Sequence, residues 1–184
     1  AVLSTNDSAE LYLQTFEGTI ATLRPKTTVR IEKLSVVTEG GVVKKQSTLL
    51  GLQAGTLVST IDPAKSGIND YGVRTPKGIA SAKGTSFSVS VEEDGFLVAT
   101  TADTVVFTTP NGTNYSIAAG NVTITPPGGE PQPPISLASA VASSSSFAGV
   151  VQTALDAVTH VVQNNLGALP PSSAADLITK VAQT

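Results

Sequence analysis

The sequence predicts a mainly-β protein, an antiparallel β-sandwich or roll, extended by a Pro-rich linker and a C-terminal α-helical tail. Three observations predict it. Apolar and polar residues alternate along much of 10–126, the pattern of strands whose successive side chains point to opposite faces of a sheet. Turn-forming residues punctuate the same region about every ten residues, which suits a sandwich, roll or short barrel better than βαβ units. At Pro126 the pattern breaks, first into Pro-Pro-Gly-Gly-Glu-Pro-Gln-Pro-Pro over 126–134, then into apolar residues at three- and four-residue steps. The expected organisation is an N-terminal arm (1–9), a β-domain (10–126), a Pro/Gly linker (127–135) and a helical tail (136–184).

The elements follow in order. Residues 1–9 form a short arm. Leu11, Leu13 and Thr15 alternate with Tyr12 and Gln14, so a first strand covers 10–16, and Gly18 separates it from a second at 19–23. The clearest hairpin joins Thr28–Thr38 to Val42–Leu50 through Glu39-Gly40-Gly41, since paired glycines supply the positive φ angles of tight turns. Residues 62–72 read as the longest loop of the β region. The run Val73–Val91 is the most informative stretch. After a turn at Pro76–Gly78 it places Ile79, then Phe87, Val89 and Val91, on alternate positions, with Gly84 where a strand bulges or admits another backbone. It therefore predicts a strand, a bulge and a longer strand. Glu92-Glu93-Asp94-Gly95 makes the next turn, Phe96–Thr101 and Thr104–Thr109 the next strands, and Pro110-Asn111-Gly112 a third turn. Tyr115–Ala118 leads through Gly120 to a last strand ending near Thr125.

Beyond the linker, a polyproline-type spacer, Phe147, Val150, Val151, Ala154, Leu155, Val158, Val161, Val162 and Leu166 form one helical stripe. Gly167 and Pro170-Pro171 stop it, and Ser172 or Ser173 can cap a final short helix carrying Leu177, Ile178 and Val181. Such a stripe is marginal in water until it is covered. Its partner is either the chain's own β-domain, a neighbouring copy or an unrelated protein. Its polar face lacks the Lys and Arg of an interfacial membrane helix. The candidate interaction residues are thus Val2 and Leu3 in the arm and Phe147, Val151, Leu155, Val158, Val162 and Leu166 in the tail.

The composition points away from chemistry. A formal charge of −3 and a single Lys44-Lys45 pair argue against nucleic acid as a partner. With no cysteine, disulfides and thiolate chemistry are excluded. His160 is the only histidine, which excludes a catalytic triad or multi-His metal site within one chain. Glu92-Glu93-Asp94 solvates a hairpin tip. Asp62, Asn69 and Asp70 offer oxygens to a hard cation but match no calcium loop, and no phosphate-binding glycine loop is present. The sequons at Asn6, Asn111, Asn114 and Asn121 are common triplets in a chain rich in Ser and Thr, Asn111 being the most accessible. No catalytic, cofactor or metal residue is assigned, and the protein is read as non-enzymatic. Charged residues make up only 14%, a low share that favours surface and fibre-forming proteins. No apolar run reaches the roughly 20 residues of a membrane-spanning helix. The opening Ala-Val-Leu-Ser-Thr is what a secreted, extracytoplasmic product shows after leader removal.

Several short stretches also share an order and spacing with a known family. They are Phe16-Glu17-Gly18-Thr19-Ile20, then Gly51–Thr60 with its Leu52, Gly55, Leu57 and Ser59-Thr60, then Thr75-Pro76 and Gly84-Thr85-Ser86-Phe87. Asp94-Gly95 and Ala118-Ala119-Gly120-Asn121-Val122 complete the series. Together they resemble the FecR-type domain over about residues 10–126. The resemblance implies an all-β extracytoplasmic bacterial module of a kind first known from iron-uptake signalling. FecR regulators join such a domain to a cytoplasmic anti-sigma segment and a membrane span. Neither is recognisable in this sequence, which weighs against transmembrane signalling. Two functional readings follow. Composition, arm, linker and apolar tail favour a self-associating structural subunit of a surface layer or extracellular filament. The alternative is a periplasmic or extracellular binding or signalling module with a protein or cell-surface polysaccharide ligand.

Overall fold

The computed structural model describes residues 1–93 and 95–143. The chain forms β1 (Val2–Ser4), β2 (Leu11–Phe16), β3 (Thr19–Leu23), β4 (Thr28–Glu39) and β5 (Val42–Ile61). A 3₁₀ turn (Pro63–Lys65) precedes β6 (Asn69–Thr75), β7 (Gly78–Ala82), β8 (Ser86–Glu92), β9 (Gly95–Ala102) and β10 (Thr104–Thr108). Then come β11 (Asn114–Ala118), β12 (Asn121–Thr125), β13 (Ile135–Ser136) and α1 (Leu137–Ser143). The expected mainly-β fold is the observed one, curled into a half-barrel.

Two sheets share β5. The first runs β1-β4-β5-β6-β7-β10-β11 and the second β2-β3-β5-β8-β9-β12-β13. The N-terminal part of β5, to Ala54, pairs with β4, and its C-terminal part, from Gly55, pairs with β8. Elsewhere the chain visits the sheets in hairpin pairs: β6–β7 in the first, β8–β9 in the second, β10–β11 in the first again. Strands that change sheet need corners, and the corners carry left-handed backbone: Lys26 (φ 58°) between β3 and β4, Gly55 (φ 86°) inside β5, Asp103 (φ 57°) between β9 and β10. The inner faces enclose a core that includes Leu23, Val29, Leu50, Leu57, Val73, Phe87, Val89, Phe107 and Ile117, each fully buried. Burying one side chain of this size contributes about 1.5–3 kcal/mol. Phe96 and Phe107 pack at 5.1 Å, and Tyr71 meets Phe87 edge-on at 6.2 Å.

The structure departs from the sequence expectations at identifiable places. The arm contains a strand, β1, which pairs with the edge of β4, helped by bonds from Thr5 N to Thr27 O (3.0 Å) and Ile31 N to Ala1 O (2.9 Å). Three residues are too few to show a period, and the edge of β4 supplies the missing partners. The second hairpin strand does not stop at Leu50 but continues through the corner to Ile61. The last four residues of the expected 62–72 loop belong to β6, which pairs parallel to β5, the exception in an otherwise antiparallel fold among the described strands. In β7 the phase is reversed: Ala80 and Ala82 face the core and Ile79 lies outward. Tyr71, Val73 and Phe107 already fill that space, so only alanine fits opposite them. Gly84 is not a bulge within a strand. It sits at the corner from β7 to β8, where an added Cβ would stand 2.6 Å from Pro63 Cα.

The linker 127–135 lies along the β-body. Gln132 N donates to Ile124 O (2.9 Å), Tyr115 Oη to Pro131 O (3.0 Å) and Lys77 Nζ to Gly129 O (3.0 Å), and Ile135 pairs with Val122. Pro131 has no N–H to leave unsatisfied, so this contact comes without loss of a donor. Leu137 and Ala140 of α1 then pack on Leu97, Ala99, Val122 and Ile124. No helix among the described residues is long and apolar enough to cross a membrane.

Candidate functional site

β4 and β5 outrun their neighbours. β1 covers β4 only at Thr28–Arg30, and β6 joins β5 only from Gln46. Residues 35–45 therefore project as a ribbon, two-stranded from Val37 to Lys45 and closed by Gly40-Gly41 (φ 59° and 77°), with Glu39 opposite Val42, the two-residue turn that right-handed strand twist selects. Its β-branched residues keep the strands stiff. The register puts Leu34 and Val36 on the face that continues the core and, past a bulge at Lys44, Val37 and Val42 on the opposite face, beside Lys45 and Glu39.

Past the last strand of the second sheet, that inner face has nothing to pack on among the described residues. There Leu34 and Val36 are 45% and 51% exposed, and on the outer face Val37 and Val42 are 54% and 58% exposed, so the hairpin carries half of the large exposed apolar side chains described. Charges rim the patch. Lys45 Nζ lies 2.9 Å from Asp70, and Lys44 Nζ 4.0 Å from Glu39. The hydrogen bond from Lys45 holds the Asp70 carboxyl below its ordinary range, against a smaller opposing effect of desolvation. At the base, Gln46 is buried and its side-chain oxygen has no partner among the described residues. Beyond these contacts, the outer edges of β4 after Ile31 and of β5 before Gln46 keep unpaired backbone groups among the described strands. Apolar side chains beside open strand edges are the chemistry of protein docking and β-strand addition.

The other candidates do not converge. Asp62 is buried and its Oδ1 accepts from Ala64 N (2.9 Å), capping the 3₁₀ turn. Asn69 points inward and Asp70 outward, as neighbours on a strand must, so the three do not share a site. Among the described residues no three His, Asp or Glu side chains stand close enough to hold a metal. A groove of about 630 Å³ beside Asp70, Ser81, Lys83, Gly84 and Asp103 brings no reactive set together. Asn6 Oδ1 accepts from Ser8 N (3.1 Å) and Ala9 N (2.8 Å), and Asn111 Oδ1 from Thr113 N (3.1 Å), so both serve their own turns.

Of the expected interaction residues, Val2 is exposed, whereas Leu3 packs on the protein's own core. Phe147, Val151, Leu155, Val158, Val162 and Leu166 lie outside the described residues, as do Asp94, His160 and the final helix. Sequence reasoning missed Leu34, Val36, Val37 and Val42. They read as ordinary hairpin alternation, and only the length of that hairpin relative to its neighbours separates them from core.

The family model described as FecR protein matches residues 2–106. Two crystal structures, each of a candidate anti-sigma factor from Parabacteroides distasonis ATCC 8503, share the fold with TM-scores of 0.58 and 0.57 at 17% and 18% identity. Each match covers 74% of this chain and 59% of the other, so the chain spans well under two thirds of those structures. At such identities the likeness is one of fold. No curated protein sequence matches the chain.

Proposed function

The chain belongs to the FecR protein family, and from that footing we propose that it is an extracytoplasmic, non-enzymatic sensing module of a regulatory system. It receives a protein partner on the ribbon 35–45. The expectation of a self-associating surface-layer or filament subunit finds no support among the relatives, and the binding and signalling alternative takes its place. The observation that carries this reading is that both faces of a stiff ribbon rimmed by charge are apolar and about half exposed, Leu34 and Val36 on one and Val37 and Val42 on the other. Burying what remains exposed of the four would contribute roughly 3–6 kcal/mol. That is at or below the cost of immobilising two proteins. Apolar contact alone therefore does not hold a partner, and hydrogen bonds along the open edges of β4 and β5 complete the attachment.

Site-specific photo-cross-linking in cells that produce the protein tests this. A cross-linker at Val36 or Val42 should capture one heterologous protein, identified by mass spectrometry, while one at Val106, exposed on the first sheet away from the ribbon, should not. Equal capture at all three positions, or capture of a second copy alone, would contradict the proposal.

A further inference from the structure

The two sheets treat their outer faces differently. That of the first sheet carries Arg30, Lys33, Lys45, Asp70 and Arg74, all exposed. That of the second carries a single charge between its edge strands, Glu92, at the very end of β8, and none inward of it. Registers place Ile20 and Thr22 of β3, Thr56, Val58 and Thr60 of β5, Ser86, Ser88 and Ser90 of β8, Leu97 and Ala99 of β9, and Val122 and Ile124 of β12 on that one face. A sheet face without charge is a face made to be covered.

It is covered. Ile20 is 2% exposed, Thr22 and Val58 0%, and Ser88 1%. Among the described residues α1 packs on the β9–β12 end, through Leu137 and Ala140. Ile20 and Val58, at the other end, are as deeply buried yet belong to neither apolar cluster of the described chain. Thr22 Oγ1 and Ser88 Oγ are likewise buried without a hydrogen-bond partner there.

We propose that the chain's own segment after Ser143 covers this face, seated on it through Phe147, Val151, Leu155 and Val158. Three facts choose this occupant. α1 delivers the chain onto the face at one end, and 41 residues follow it. Those residues carry the apolar stripe that the sequence predicts. The lengths also match. From β12 to β3 the face spans four strand intervals, roughly 19 Å, and a helix over 147–162 is roughly 24 Å long. Small Ser and Thr side chains let a helix approach closely. The cover does not depend on the ribbon's partner.

The absence of cysteine makes the test direct. A single thiol from Ser88→Cys in the otherwise intact chain should react with a thiol reagent at least ~100-fold more slowly than one from Ser81→Cys on the exposed outer face, and light scattering should show a monomer. Adding Val151→Asp and Leu155→Asp should restore fast reaction at position 88. Should that variant fail to fold, a disulfide scan decides. Ser88→Cys combined in turn with Phe147→Cys, Val151→Cys or Leu155→Cys should close an intramolecular bond in at least one case, since disulfides form only across Cα distances of about 4.4–6.8 Å. Fast labelling at position 88 in the intact chain overturns the proposal. So does protection found only in a dimer, or a scan that closes no intramolecular bond.

Discussion

Gly55→Ala probes the corner on which both sheets depend. Gly55 holds φ at +86°, and a Cβ there would stand 2.6 Å from Lys26 O and Thr27 Cα and 2.5 Å from Thr27 Oγ1. The left-handed backbone costs an L-residue about 1–2 kcal/mol. Moving the β3–β4 corner aside adds about 1–3 kcal/mol by the measure of overpacked cores. Thr27 Oγ1 also accepts from Thr56 N (3.0 Å) and donates to Thr56 O (3.1 Å), and losing one such bond adds roughly 1 kcal/mol. The total is about 3–6 kcal/mol. For a chain of this size that lowers the midpoint of thermal unfolding by roughly 6–24 °C. Gly41→Ala is the control, because φ is +77° there but nothing lies within 4 Å of an added Cβ. Its cost should stay near the ~1–2 kcal/mol of backbone strain alone. Urea unfolding followed by circular dichroism measures both. If the two variants lose the same stability within ~0.5 kcal/mol, the corner is not tightly packed and the account of β5 as a shared strand fails.

Tyr71 is buried with its hydroxyl 2.9 Å from Ser59 Oγ. Burial raises its pKa far above the ordinary 10.0, and the Ser59 hydrogen bond opposes this only in part. A raised pKa means that the stability it contributes is complete below pH 10 and is lost as pH rises toward the folded value. Tyr71→Phe should therefore remove much of the stability loss above pH 10, while costing about 1–2 kcal/mol at neutral pH because Ser59 loses its partner; denaturant titrations across pH read both. The Asp70 carboxyl is lowered, so its contribution is present above its ordinary value near 3.8 and is lost as pH falls through the folded value. Both it and Lys45 are more than half exposed. Asp70→Asn should thus cost no more than ~0.5 kcal/mol, and salt should erase the difference in a thermal melt.

Much of the fold was legible. β2 and the Gly40-Gly41 turn stood out because β2 alternates a more exposed face with a less exposed one and because paired glycines have a specific backbone use. What stayed hidden depends on which strands lie alongside. β5 is buried on both faces around Val58 and Ser59, so its second half lacks the alternation that marks an amphipathic strand. β6 begins with Asn69-Asp70, residues that read as loop until the edge of β5 is present to pair with them. The register of β7 turned on the volume of Tyr71 and Phe107, which a period cannot express. The ribbon was invisible for a related reason: Leu34 and Val36 are apolar in the same rhythm as core residues, and only the ends of the neighbouring strands expose them. The parallel pairing of β5 with β6 is a matter of chain path and leaves no local mark.

The most direct measurement concerns that ribbon. With the protein captured by cross-linking at Val36 purified, its affinity for the intact chain and for a Val36→Glu/Val42→Glu variant can be compared by calorimetry. Both side chains are exposed, so the variant should keep its stability within ~0.5 kcal/mol. One charge placed on each apolar face of the ribbon should cost at least ~1.4 kcal/mol of binding, a tenfold or greater rise in Kd. An unchanged Kd in a variant that folds normally would contradict the assignment of the ribbon as the partner site.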